Sequence, residues 1–197
     1  MRKDIVVNLD FFDSNKFSHL SSQEFSVLLY ILSEERVFNT QIEIHVNQLI
    51  EKGLFEESNE NAKKEIKRVV NKLHNKRAIR FLGSVNDCYT FELMEIPIDN
   101  QRFISVENYI NTRNQLNDHF HIYLYHYISI NASGNKSFKV FSYHQLSKTM
   151  QKTLSECQQA VEYLVENGLL IAQDVKNKNT NKVQEISEFR ELERNYE

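Results

Sequence analysis

Apolar positions recur along this chain in a pattern that appears twice. Residues 66–81 (IKRVVNKLHNKRAIRF) and 157–172 (CQQAVEYLVENGLLIA) align Ile66 with Cys157, Val69 with Ala160, Val70 with Val161, Leu73 with Leu164 and Ile79 with Leu170. Two further blocks match in the same order: FSVLLYIL at 25–32 with FHIYLYHY at 120–127, and IHVNQL at 44–49 with FSYHQL at 141–146. The offsets of 91, 95 and 97 residues are nearly constant, which points to a duplicated unit.

The elements within each copy follow from local pattern. In the first, Leu20-Ser21-Ser22-Gln23-Glu24 supplies an N-cap serine before an apolar run to Leu32, predicting a helix. Ile42 and Ile44 alternate with polar residues as in a short strand. A second helix is expected at 45–52, stopping near Gly53, and a third at 60–76. Two strand-like runs, 78–83 and 88–95, flank the turn-forming Ser84-Val85-Asn86-Asp87. The second copy predicts a helix at 106–131, a strand at 138–141, helices at 142–150 and 153–167 closed by Gly168, and strands at 169–175 and 182–187. Pro97, the sole proline, lies between the copies, so the expected domains are 1–98 and 99–197. Ile5, Val7, Leu9 and Phe11 alternate as a further strand with no obvious partner, and Ile186, Phe189, Leu192 and Tyr196 recur as in a short amphipathic helix.

The order helix, short strand, helix, helix, hairpin resembles the winged-helix variant of the helix-turn-helix. LVENGLLIAQD at 164–174 looks like the third helix of that family running into its wing strand. The resemblance covers nearly the whole chain and implies a mainly α fold with small β wings (α+β), built as two tandem winged-helix domains. Copy one, with LSSQEFSVLLYIL, the basic helix and RAIRFLG, is loosely similar to the first winged helix of plasmid replication initiators. That likeness implies binding to duplex DNA and dimerisation. The acidic third helix of copy two departs from that family's pattern. Winged helices also serve as protein-binding scaffolds, as in chromosome-organising complexes, so function must be argued from surfaces.

Charge separates the copies. The chain has a net charge of −3, yet from Asn59 to Arg80 eight Lys or Arg stand against two Glu. At 100° per residue Ala62, Ile66, Val69, Val70 and Leu73 share one face of the first third-helix. Lys64, Lys67, Arg68, Asn71 and Asn75 share the other, with Lys63 and Lys72 on its flanks. Lys and Arg reach phosphates, and Asn makes a bidentate pair with adenine. Few i,i+4 carboxylates balance these cations in sequence, so the helix reads as a major-groove reader that a polyanion would relieve of like-charge crowding. Lys63, Lys64, Lys67, Arg68, Asn71, Lys72, Asn75 and Arg80 are the expected DNA contacts, joined by Lys176, Lys178 and Lys182 of the second copy's Asn/Lys-rich turn. The second third-helix shows Ser155, Gln158, Gln159, Glu162, Tyr163 and Glu166 outward, a poor surface for phosphate, so the second domain is a candidate for holding a protein partner.

The aromatic stretch with Phe120, Tyr123 and Tyr127 is apolar nearly all round, as in a core or interface helix. With Phe189 and Leu192 it forms the expected dimer or partner interface. Hydrophobic residues at 41% afford a packed core, and only four Gly argue against an all-β sandwich or a nucleotide-cradling loop. No catalytic motif emerges, so no enzyme and no cofactor are expected. His119 and His121 project about 200° apart on a helix, which disfavours a metal site. Cys88 and Cys157 lie far apart in apolar settings, as in a reduced cytoplasmic protein, and the repeated use of Asn, Lys and Ile suggests an AT-rich, bacterial genome. Met1-Arg2-Lys3-Asp4 is followed by too short an apolar run for an export signal, and no membrane span is expected.

Overall fold

The computed structural model describes residues 4–35, 41–55, 60–132, 141–170 and 185–186. The fold is mixed α and β. Among the described residues it has seven α-helices and small antiparallel sheets. Contacts divide the chain into two compact units, Met1–Ile122 and Tyr123–Glu197. The division therefore falls some way past the expected 98/99 boundary, and the reason is visible in the first unit.

Strand β1 (Asp4–Asn8) buries Ile5 and Val7 and pairs antiparallel with β5 (Gln101–Ser105), Asp4 opposite Ser105 and Asn8 opposite Gln101. The segment after Pro97 thus supplies the strand that β1 needs. The β1 alternation also stops earlier than the sequence suggests. Asn8 Oδ1 accepts from Asp10 N (2.9 Å) and opens a 3-10 turn, Leu9–Phe12, that buries Phe11 and Phe12 together.

Helix α1 (Ser22–Ser33) starts at the expected cap. Glu24 N donates to Ser21 Oγ and Ser21 N donates to Glu24 Oε2 (3.0 Å), a reciprocal box. Every residue from Glu24 to Leu32 is buried, so α1 is the unit's central helix. Strand β2 (Gln41–His45) alternates as predicted, with Ile42 and Ile44 inward. The His45 ring caps α2 (Val46–Glu51) by accepting from Asn47 N (3.2 Å). Gly53, at φ +64°, closes α2 with Gly53 N to Ile50 O and Leu54 N to Leu49 O, the left-handed ending that favours glycine.

Helix α3 (Glu60–Asn75) runs to β3 (Ile79–Val85) and β4 (Cys88–Leu93), giving a three-stranded sheet in the order β2-β4-β3. Val85 pairs with Cys88, so the hairpin loop is only Asn86-Asp87, at φ 50° and 60°. That is the type I′ geometry, which Asn and Asp tolerate and which matches the strand twist. A bulge between Phe81 and Gly83 turns Leu82 outward.

The helix expected at 106–131 is two helices. α4 (Val106–Gln115) ends at Leu116, which is buried in an extended conformation, and α5 (His119–Ala132) begins afresh. Asp118 Oδ1 accepts from Phe120 N (2.8 Å) and His121 N (3.0 Å), an N-cap inside a stretch whose apolar periodicity runs straight through.

In the second unit α6 (Tyr143–Met150) and α7 (Leu154–Glu166) follow a two-residue strand β6 (Phe141–Ser142), which pairs antiparallel with β7 (Glu185–Ile186). Ser142 caps α6 as His45 caps α2, at the repeat offset of 97. Cys157, Ala160, Val161, Leu164 and Leu170 are all buried, as are their partners in the first copy. The apolar skeleton thus serves the same purpose in both units. Of the expected strands at 169–175 and 182–187 only residues 169–170 and 185–186 are described; the rest, with the turn between them, lies outside the described residues. No described helix is long and apolar enough to cross a membrane.

Candidate nucleic-acid interface

Two faces of opposite character define α3. Ala62, Ile66, Val69, Val70 and Leu73 are buried, the last four at 0–1% exposure. Burying each such branched side chain contributes about 1.5–3 kcal/mol, so this face fixes how the helix lies. Lys64, Lys67, Arg68, Asn71 and Asn75 are exposed. At 100° per residue they occupy a sector of about 100°, a single stripe along the helix.

Tertiary partners sort the cations in a way that local sequence could not show. Glu24, whose side chain is 3% exposed, receives Lys76 Nζ at 2.6 Å and lies 3.4 Å from Lys72 Nζ. Burial pushes the Glu24 carboxyl up, but the Lys76 hydrogen bond, the Ser21 N–H and the two lysine charges outweigh it and hold the pKa below its ordinary value. Lys63 pairs with Asp87 at the hairpin loop, Arg68 with Glu65 at 3.3 Å and Arg80 with Glu92 at 2.9 Å. The Lys63 hydrogen bond is the main cause of the lowered Asp87 pKa. Few carboxylates meet these cations locally, Glu65 beside Arg68 being one; Lys72, Lys76 and Arg80 find theirs at Glu24 of α1 and Glu92 of β4, distant in sequence.

Lys64, Lys67 and Arg77 make no ion pair among the described residues, and Asn71 and Asn75 make no side-chain hydrogen bond there. The exposed pairs of Lys63, Arg68 and Arg80 add little net stability, because water and salt screen both members. A phosphate could replace their carboxylates readily. Lys72 and Lys76 are different, because withdrawing them leaves Glu24 buried without its counter-charge. The hairpin offers exposed Leu82 and Val85 rather than further cations.

The turn that closes α2 is braced from beyond residue 98. Arg113 Nη2 donates to Lys52 O, and His119 Nε2 lies 3.2 Å from Leu54 O. Burial, reinforced by the Arg113 charge, lowers the His119 pKa and favours the neutral ring.

The second unit differs. α7 exposes Gln159, Glu162, Tyr163 and Glu166, and Glu156 is engaged at the helix start with Thr153 and Lys152. Of the proposed interface residues, Tyr123 and Tyr127 are core: they are 2% and 8% exposed, and the Tyr127 ring lies 5.6 Å from that of Phe141. A helix apolar on all sides has been covered by its own chain. Phe120 is half-buried. Lys176, Lys178, Lys182, Phe189 and Leu192 lie outside the described residues. His126 is fully buried, and its pKa is pushed down to about 3 by loss of solvent. Among the described residues no three His, Cys, Asp or Glu side chains converge as metal ligands.

No protein-family model matches the chain, and no curated protein matches its sequence.

Proposed function

We propose that the protein binds double-stranded DNA as a tandem winged-helix protein, with α3 as the reading helix. A replication initiator or a transcription regulator would both use such an element. The winged-helix reading is supported by element order. The first unit runs α1, β2, α2, α3 and then the β3–β4 hairpin, with β2 pairing β4. The second runs α5, β6, α6, α7 and β7, with β6 pairing β7.

The observation that carries the DNA reading is the stripe of Lys64, Lys67, Arg68, Asn71 and Asn75, exposed on a helix whose opposite face is the core. In a major groove the lysines would neutralise phosphates, while Asn71 and Asn75 would meet adenine edges. The test is a salt titration of binding to a random duplex. Log K against log salt should slope steeply, and Lys64→Ala or Lys67→Ala should each reduce the slope by about 1. Lys72→Ala should act mainly on stability, through Glu24. No duplex binding at low salt would sink the proposal.

A second reading, a protein-binding scaffold, is favoured by one observation: the exposed acidic face of α7, with Glu162 and Glu166 beside Tyr163. It predicts a stable protein partner that binds with the α3 stripe neutralised.

A further inference from the structure

The exposed stripe of α3 is not uniform across its width. Ile66, Val69, Val70 and Leu73 fix the direction of the core, and Asn71 and Asn75 point directly away from it. These two lie one turn apart and within about 40° of each other around the axis. Lys67 lies about 40° to one side of Asn71, with Lys63 beyond it, and Arg68 about 20° to the other side of Asn75. Lys64 shares the middle line two turns before Asn71. Over its C-terminal half the stripe is therefore amide along the middle and cationic along both edges. A major groove has the matching cross-section, with base edges on its floor and the phosphates of the two strands on its walls.

Neither amide has a side-chain hydrogen bond among the described residues. Each offers a donor and an acceptor side by side, the pair that meets N7 and N6 of adenine. The repeat isolates these positions. At the offset of 91 that aligns Leu73 with Leu164, Asn71 lies over Glu162 and Asn75 over Glu166, and all four are exposed. The copies share their buried positions and diverge here. A carboxylate only accepts, and its charge is repelled by both walls of a groove. The chemistry that reads adenine is thus confined to α3.

We propose that the duplex taken by α3 carries two neighbouring A·T pairs, one read by Asn71 and the next by Asn75, with Lys67 and Arg68 holding the backbones on either side. Helices that lie along a major groove advance by about one base pair per turn, which makes the two pairs neighbours. This inference rests on the DNA reading above and names the class of site that reading leaves open.

The experiment is selection of binding sites from a random duplex pool by the full chain, by Asn71→Ala and by Asn75→Ala, followed by salt titration on the parent's selected duplex. Alanine is the better helix former at both exposed positions, so the variants fold. The parent's selected sites should share two neighbouring A·T pairs, and changing either to G·C should weaken binding about 5- to 150-fold. Asn71→Ala should lose the preference at one pair and Asn75→Ala at the other. Both should keep the parent's salt slope, because no phosphate contact is lost, whereas Lys67→Ala should lower the slope by about 1 and keep both preferences. The inference is overturned if the selected sites lack neighbouring A·T pairs or share no sequence, if either asparagine variant keeps both preferences, or if it lowers the slope as Lys67→Ala does. A parent that binds no duplex at low salt overturns the DNA reading itself.

Discussion

Glu24 carries more than one task. It closes the cap of α1, and it anchors Lys72 and Lys76 on the flank of the α3 stripe. Its folded pKa lies below the ordinary 4.5, so its stabilising effect is complete above that value and is lost as pH falls below it. Glu24→Gln keeps an oxygen for the Ser21 N–H but loses the charge. It should destabilise the protein at pH 7 by about 1–2 kcal/mol, measured by urea denaturation, and the loss of stability between pH 5 and pH 3 should be shallower than in the parent. An equal acid response in both proteins would assign the effect elsewhere. The sequence announced the cap serine of α1, but not Glu24 as the lysines' partner. That contact spans 52 residues, and no local pattern encodes it.

At the level of elements, α3 was legible because its two faces obey one period and every apolar position predicted to be inside is inside. The break between α4 and α5 was not legible, because apolar residues continue across Leu116 and Ile122 and periodicity hides a restart. The signal was Asp118, a short polar residue before a helix-forming run, whose carboxylate satisfies two backbone N–H groups. Asp118→Ala should cost about 1 kcal/mol and fray the start of α5, seen as faster amide exchange at Phe120 and His121. Unchanged exchange there would mean that packing alone sets where α5 begins. The ion pairs around α3 follow the same rule: sequence shows which residues share a face, and tertiary folding decides which carboxylates come to meet them.

For the molecule as a whole, the repeat predicted the equivalent core positions and, among the described residues, the order helix, strand, helix, helix in each unit, whereas the contacts divide the chain at Ile122/Tyr123 and not at 98/99. Matching ends where the copies' common skeleton ends, whereas the first unit also needs β5 for β1 and Arg113 and His119 for the turn that closes α2. A fragment of residues 1–98 should therefore melt well below one of residues 1–122. Equal melting of the two would show that the added segment is dispensable.

The brace on that turn makes the two copies of the pattern unequal. Because the leading stretch of the later copy finishes the earlier one, the halves are not interchangeable cassettes. A chain cut at the lone proline would lack the Arg113 and His119 contacts that back the end of α2.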